Sequence, residues 1–130
     1  MIKKNFVFFI LIFITKLYSQ KESDNWYFGD KAALKFDNDN KVIVLEDSKS
    51  NAFYGCSTIS DKKGNLLFYT NGSFVYNKQH TKMENGELLA SDKEVLQTSV
   101  IIPKPKNPNL YYLITLKNSN DPPRFGPLIP

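Results

Sequence analysis

Hydrophobic positions along this chain come first as one long block and then as a series of short runs. Phe6 to Ile14 is unbroken apolar sequence. From Asn25 onward the runs are brief, rich in β-branched and aromatic residues, and closed by Gly, Pro, Asn or Asp. That pattern predicts strands joined by turns. Asn25-Trp26-Tyr27-Phe28-Gly29 opens the series. Ala33 to Phe36 and Val42 to Leu45 flank Asp37-Asn38-Asp39-Asn40, whose side chains tolerate turn conformations, and so form a predicted hairpin. Tyr54 to Ser60 follows, then the turn Asp61-Lys62-Lys63-Gly64 with glycine placed for positive φ. Leu66 to Thr70 and Phe74 to Tyr76 are joined by Asn71-Gly72, which predicts a type I′ turn with positive φ at both residues. Thr98 to Ile102 is a strand stopped by Pro103 and Pro105, which cannot donate to a ladder. Asn107-Pro108-Asn109 turns the chain into a last strand, Leu110 to Leu116. Lys93 to Gln97 offers at most one helical turn.

Several runs, notably Leu66 to Tyr69 and Val100 to Ile102, do not alternate and are apolar on both faces. Such strands need cover on both sides. With helices absent, the cover has to come from other sheets. Small sheets stacked around an axis, as in a propeller, provide it. Strand and turn patterning alone equally allows a sandwich.

The leading block is an export signal. Lys3 and Lys4 precede it and Tyr18-Ser19-Gln20 ends it with a small residue where a signal peptidase cuts, here after Ser19. Its nine apolar residues are too few for a bilayer core, which takes about 20. An N-terminal membrane anchor is the competing reading. On the export reading residues 1–19 are a signal peptide, the mature chain has no stable membrane span, and it is periplasmic, on the cell surface or secreted.

Removal of the leader changes the charge picture. The chain has 17 Lys and Arg against 13 Asp and Glu; Lys3, Lys4 and Lys16 lie in the leader, which leaves 14 against 13. The basic residues are spread among acids, so nucleic acid is not an expected partner. Cys56 is the single cysteine, so no internal disulfide can support a small exported core. It reads as an inert thiol on an apolar strand, with pairing between molecules as the alternative.

Candidate chemistry is sparse. His80 is the one histidine; no metal motif surrounds it, and beside Lys78 and Lys82 it reads as a surface or turn residue. Gly72-Ser73 lacks the Gly-x-Ser-x-Gly elbow of a serine hydrolase. Asp37-Asn38-Asp39-Asn40 starts like a calcium loop, but Lys41 and Val42 stand where the pattern needs an Asx and a glycine, so it reads as a turn. Asn71-Gly72-Ser73 fits the glycosylation sequon formally and reads as the hairpin turn. Trp26, Tyr27, Phe28, Phe68, Tyr69, Phe74, Tyr76, Tyr111 and Tyr112 could stack on sugar rings, and read first as core. No catalytic, cofactor-binding or metal-ligating residue and no cofactor is expected.

Three stretches carry a resemblance. They are Asn25-Trp26-Tyr27-Phe28-Gly29 with Ala33-Leu34 and Phe36; Gly55-Cys56-Ser57-Thr58-Ile59-Ser60-Asp61 with Gly64-Asn65-Leu66-Leu67-Phe68-Tyr69-Thr70-Asn71-Gly72; and Gln97-Thr98-Ser99 with Ile101-Ile102-Pro103-Lys104-Pro105 and Tyr111-Tyr112. Val75-Tyr76-Asn77, His80, Met83 and Asn85-Gly86 extend it, with Tyr76 where tryptophan is usual. In this order they resemble the N-terminal region of large exported proteins of gliding, Bacteroidetes-type bacteria, which carry a propeller-like N-terminal region, β-sandwich repeats and a C-terminal sorting domain for type IX secretion. The resemblance implies an all-β fold, an incomplete β-propeller over residues 20–116. A blade takes about 40–50 residues, so this region is expected to supply one to two blades. Residues 117–130 then form a proline-rich irregular tail, with four prolines in the last nine residues, that reads as a truncation end. The implied function is a non-enzymatic fragment of a cell-surface or secreted interaction or adhesion protein; the alternative is the N-terminal fragment of a secreted propeller hydrolase. Expected partners are the remaining blades of a longer propeller or another surface protein, with polysaccharide as a further candidate.

Overall fold

The computed structural model describes residues 21–39, 41–52, 55–87 and 99–115. The leader, the segment Lys93 to Gln97 and the proline-rich tail lie outside them. The described residues are all-β: β1 (Asn25–Phe28), β2 (Ala32–Phe36), β3 (Val42–Leu45), β4 (Ser57–Ser60), β5 (Leu66–Thr70), β6 (Phe74–Asn77), β7 (Lys82–Glu87), β8 (Ser99–Pro103) and β9 (Tyr111–Thr115). They form three antiparallel meanders, β1-β2-β3, β4-β5-β6-β7 and β8-β9. Of the strand read from Tyr54 to Ser60, Tyr54 lies outside the described residues, Gly55 and Cys56 lead in, and the strand itself is Ser57–Ser60. β7 was not foreseen: Lys82-Met83-Glu84-Asn85-Gly86-Glu87 is polar, and it is an edge strand with a bulge opposite β6.

The sheets stack in chain order, and the middle sheet is covered on both faces. Tyr27 and Ala33 of the first sheet form one buried cluster with Tyr69 and Tyr76 of the middle sheet. Tyr69 stacks on Tyr27 at 4.4 Å between ring centroids and on Tyr76 at 5.1 Å. On the opposite face Phe68 meets Tyr111 of β9 edge-on at 5.3 Å. Tyr69 and Val75 are fully buried and Phe68 nearly so, which is why Leu66 to Tyr69 shows no alternation. β8 and β9 have cover on one face only. Ile101 and Leu113 are half-buried, whereas Val100, Ile102, Tyr112 and Ile114 are exposed.

Hydroxyls join the sheets where no backbone ladder does. Thr58 Oγ1 accepts the Tyr27 N–H at 3.0 Å and donates to the Tyr27 carbonyl at 3.2 Å, which satisfies the outer edge of β1. Asn25 Nδ2 donates to Ser60 Oγ and to the Gly64 carbonyl, each at 2.9 Å. Ser57 Oγ donates to the Ser99 carbonyl and accepts from Ser99 Oγ at 3.1 Å. Alternate residues of β4 thus serve the two neighbouring sheets.

Three of the hairpin loops, β2–β3, β4–β5 and β6–β7, share one local design. An Asx residue opens each, and its Oδ1 accepts the N–H groups two and four residues on: Asp37 from Asp39 and Lys41, Asp61 from Lys63 and Asn65, Asn77 from Gln79 and Thr81. Asp61 is held below the usual carboxylate range chiefly by the Asn65 side-chain hydrogen bond. Gly64 and His80 each donate N–H to the carbonyl of the opening residue at 2.9 Å and each have positive φ, 82° and 60°. His80 therefore occupies the left-handed corner that glycine fills in the neighbouring loop.

The β5–β6 turn departs from its predicted form. Asn71 N–H donates to the Phe74 carbonyl, so the central residues are Gly72 and Ser73. Only Gly72 has positive φ, 84°, the pattern of a type II′ turn, not type I′. Asn71 instead caps the turn, its Oδ1 accepting the Ser73 and Phe74 N–H groups. Gly72→Val places a β-branched residue in a left-handed conformation and is expected to lower stability by about 1–3 kcal/mol, read as the midpoint of denaturant unfolding.

Candidate functional site

The chain between the first two sheets builds, among the described residues, a cluster of ionisable groups with a continuous hydrogen-bond path. From Asp47 to Ala52 burial alternates: Ser48, Ser50 and Ala52 are buried, Asp47, Lys49 and Asn51 exposed. Small residues on the buried side let the segment lie in the seam between sheets. It is tied to the β1–β2 turn by Lys31 N–H to the Ser50 carbonyl at 2.7 Å and Ala52 N–H to the Gly29 carbonyl at 3.0 Å. Its other residues reach the middle sheet. Lys49 N–H donates to Tyr69 Oη at 3.1 Å, and Asn51 Oδ1 accepts from Asn71 Nδ2 at 2.9 Å.

Asp47 joins both sheets through one carboxylate. Its Oδ1 accepts the Tyr27 hydroxyl at 3.0 Å, and its Oδ2 lies 3.2 Å from His80 Nε2. His80 Nδ1 lies 3.3 Å from Tyr69 Oη. Because Tyr69 Oη already accepts from Lys49, its proton is free to go to Nδ1, which leaves the Nε2 proton for Asp47. The path Tyr69, His80, Asp47, Tyr27 is then satisfied from end to end. The His80 ring also leans on Tyr27 and Tyr69, at 5.5 and 5.9 Å. Burial pushes the Tyr27 phenol well above its usual range, and the hydrogen bond to Asp47 adds to the shift. Burial also raises Tyr69, partly offset by the Lys49 N–H.

This corrects the sequence reading of His80. The turn is as expected, but the ring is not a surface group: its side chain is 18% exposed, against 46% for Asp47. Both ring nitrogens are occupied, so the histidine presents no free lone pair to a ligand. Chemically the arrangement is a latch between sheets. The signal for it lay in Asn77, which sets the loop, and in His80 at the left-handed corner; Asp47 gave none.

The remaining candidates sort themselves by position. Tyr27, Phe68, Tyr69 and Tyr76 are core. Trp26 is half exposed on the outer face of the first sheet, edge-on to Phe36 at 5.3 Å. Asp37 uses its carboxylate within its own turn, and Asn71 is engaged through both amide atoms. Cys56 is half-buried and its thiol is pushed up by burial. Among the described residues no three His, Cys, Asp or Glu side chains gather to hold a metal. A cleft of about 810 Å³ runs between β1 and β4, lined by Trp26, Phe28, Leu34, Cys56, Thr58 and Ile59 among others. A second, of about 750 Å³, lies between the β5–β7 edge and the β8–β9 turn. No helix of the described residues is long and apolar enough to cross a membrane. No protein-family model, curated protein or solved structure matches the chain.

Two measurements follow from the latch. His80→Ala keeps the left-handed backbone without the ring, whereas His80→Gly loses the ring but relieves the backbone. Glycine is therefore expected to be the milder change by about 1 kcal/mol in denaturant unfolding; an equal or reversed order would show that the corner is not left-handed. The second concerns alkali. An unfolded tyrosine loses its proton near pH 10, and folded Tyr27 does so later. Above about pH 10 the unfolded state binds fewer protons, so stability falls as pH rises, at most about 1.4 kcal/mol per pH unit for one group. Tyr27→Phe should make that fall shallower when unfolding free energy is measured between pH 9 and about 11.

Proposed function

We propose that this chain is an arc of an exported β-propeller, a non-enzymatic module with which a cell-surface or secreted protein makes contact with a partner. The observation that carries the reading is an ordered stack of three antiparallel meanders with an apolar face open at each end. The first strand of the middle sheet, β4, lies between the first strands of the other two, joined to β1 by Thr58 and Ser60 and to β8 by Ser57. First strands gathered side by side, with later strands fanning outward, are what blades around an axis require. The aromatic cleft along β1 and β4 then lies beside that axis. Interaction is favoured over catalysis because the single histidine is bound at both nitrogens inside a latch. The leader pattern of Lys3-Lys4, Phe6 to Ile14 and Ser19 supports export.

One preparation tests both halves. Protein recovered from the periplasm of an expression host is expected to begin at Gln20 or Lys21 by mass spectrometry; an intact Met1 overturns export. In the same sample, diluted until monomeric, Trp26 is the sole tryptophan and stands on an open face, so acrylamide should quench it readily. A shielded tryptophan in the monomer would show that the stack has no open end, and the arc reading would fall.

A further inference from the structure

Among the described residues two buried side-chain polar atoms have no hydrogen-bond partner, Ser50 Oγ and Glu22 Oε2. Ser50 is tied into the seam between the first two sheets and lines neither cleft. Glu22 lines the larger cleft, along β1 and β4. Its backbone is held, the carbonyl accepting the Ser60 N–H at 3.0 Å, but its side chain enters no ion pair among the described residues. A carboxylate oxygen closed to solvent and left without a donor is unfavourable, so a group that brings a donor is favoured there.

The rest of the cleft indicates what that donor is carried on. Among the described residues lining it, Glu22 has the one charged side chain. The polar side chains around it are already engaged: Asn25 with Ser60 and Gly64, Tyr27 with Asp47, Ser57 with Ser99 and Thr58 with Tyr27. Trp26, Phe28, Leu34 and Ile59 give it apolar walls. A sugar, with a hydroxyl on most of its carbons, finds few free partners in such a place. Trp26 Nε1 donates to the Ser23 carbonyl at 2.8 Å, which holds the half-exposed indole beside the residue next to Glu22.

We propose that this cleft takes an arginine side chain of a partner protein, its guanidinium paired with the Glu22 carboxylate and stacked on the Trp26 indole. This rests on the interaction reading and names the partner's chemistry. A guanidinium is planar and weakly hydrated, donates two parallel N–H groups to a carboxylate, and stacks on aromatic faces. A lysine ammonium is a compact, strongly hydrated charge and gains less from an apolar cleft. The arginine stem lies along the apolar walls. The terminal torsion of glutamate is soft, so both carboxylate oxygens can turn to the incoming donors.

Trp26 is the sole tryptophan and lines the site, so its emission reads occupancy. Protein recovered from the periplasm is titrated with acetyl-Gly-Arg-Gly-amide and with the same peptide carrying citrulline or lysine. The arginine peptide should shift Trp26 emission, protect it from acrylamide, and bind about tenfold or more tighter than the neutral citrulline peptide. Added salt should weaken the arginine peptide and leave the citrulline peptide unchanged. Glu22→Gln should bring the two peptides level; should that variant not fold, the wild-type ratio of arginine to citrulline decides alone. Arg124 is the one arginine of this chain and the alternative source of the group. Arg124→Gln should leave peptide binding unchanged; tighter binding in that variant would assign the cleft to the chain itself and overturn the proposal. It is also overturned if the arginine peptide leaves Trp26 unmoved up to about 10 mM, if citrulline or lysine binds as tightly, if Glu22→Gln keeps the preference, or if cellotriose protects Trp26 more strongly. An open Trp26 that ignores the arginine peptide removes this site and leaves the arc reading intact. A Trp26 shielded before any peptide is added removes both.

Discussion

Tyr69 is the side chain on which the two larger sheets depend. Its ring is fully buried between Tyr27 of the first sheet and Tyr76 of its own, and its hydroxyl is held by Lys49 and His80. Stacked aromatic pairs contribute about 0.5–1.5 kcal/mol each beyond their burial. The burial itself is only possible because the hydroxyl end leaves the column at a point where partners wait; an unpaired buried hydroxyl would cost about 1–3 kcal/mol. The connecting segment Asp47 to Ala52 supplies those partners. A loop that looks like a simple link is therefore the third side of the core.

The same demand explains the backbone of His80. A left-handed histidine is disfavoured by roughly 1–2 kcal/mol relative to an ordinary conformation. Asn77 sets the loop that requires it, as Asp61 does for Gly64. In the Asp61 loop glycine relieves the strain. In the Asn77 loop the strain is kept and offset by contacts the ring makes with Asp47, Tyr69 and Tyr27. Gly86 shows close packing of a different kind: a Cβ there would stand 3.2 Å from Val75 Cβ and 3.0 Å from the Met83 carbonyl oxygen.

Much of the strand order was legible because apolar runs and turn residues are local signals. The β2–β3 hairpin, the Gly64 turn and the two-sided burial of Leu66 to Tyr69 all follow from residues close together in the chain. The misses have a common cause. β7 is polar because it is an edge, so no hydrophobic period marks it. The turn at Gly72 shifted by one residue because Asn71 serves as an acceptor for two N–H groups rather than taking positive φ. Asp47 and His80 lie 33 positions apart and meet only through sheet packing. Ser57 to Ser60 read simply as a strand of small residues, yet its hydroxyls are what join three sheets.

Those hydroxyls also bear on why the stack stays specific while its ends are open. Apolar faces alone allow neighbouring sheets to slide, since burial is non-directional. A hydroxyl that both accepts from and donates to one residue, as Thr58 does with Tyr27, fixes the register of one sheet on the next. The β1–β4 and β4–β8 contacts each carry such a pair or its equivalent beside their apolar contacts. The outer faces of the first and last sheets offer only side chains without polar ends, Tyr112 and the Trp26 indole apart, and the indole N–H already donates to the Ser23 carbonyl. Those faces thus carry apolar surface without the hydroxyl pairs that fix the register at the β1–β4 and β4–β8 contacts.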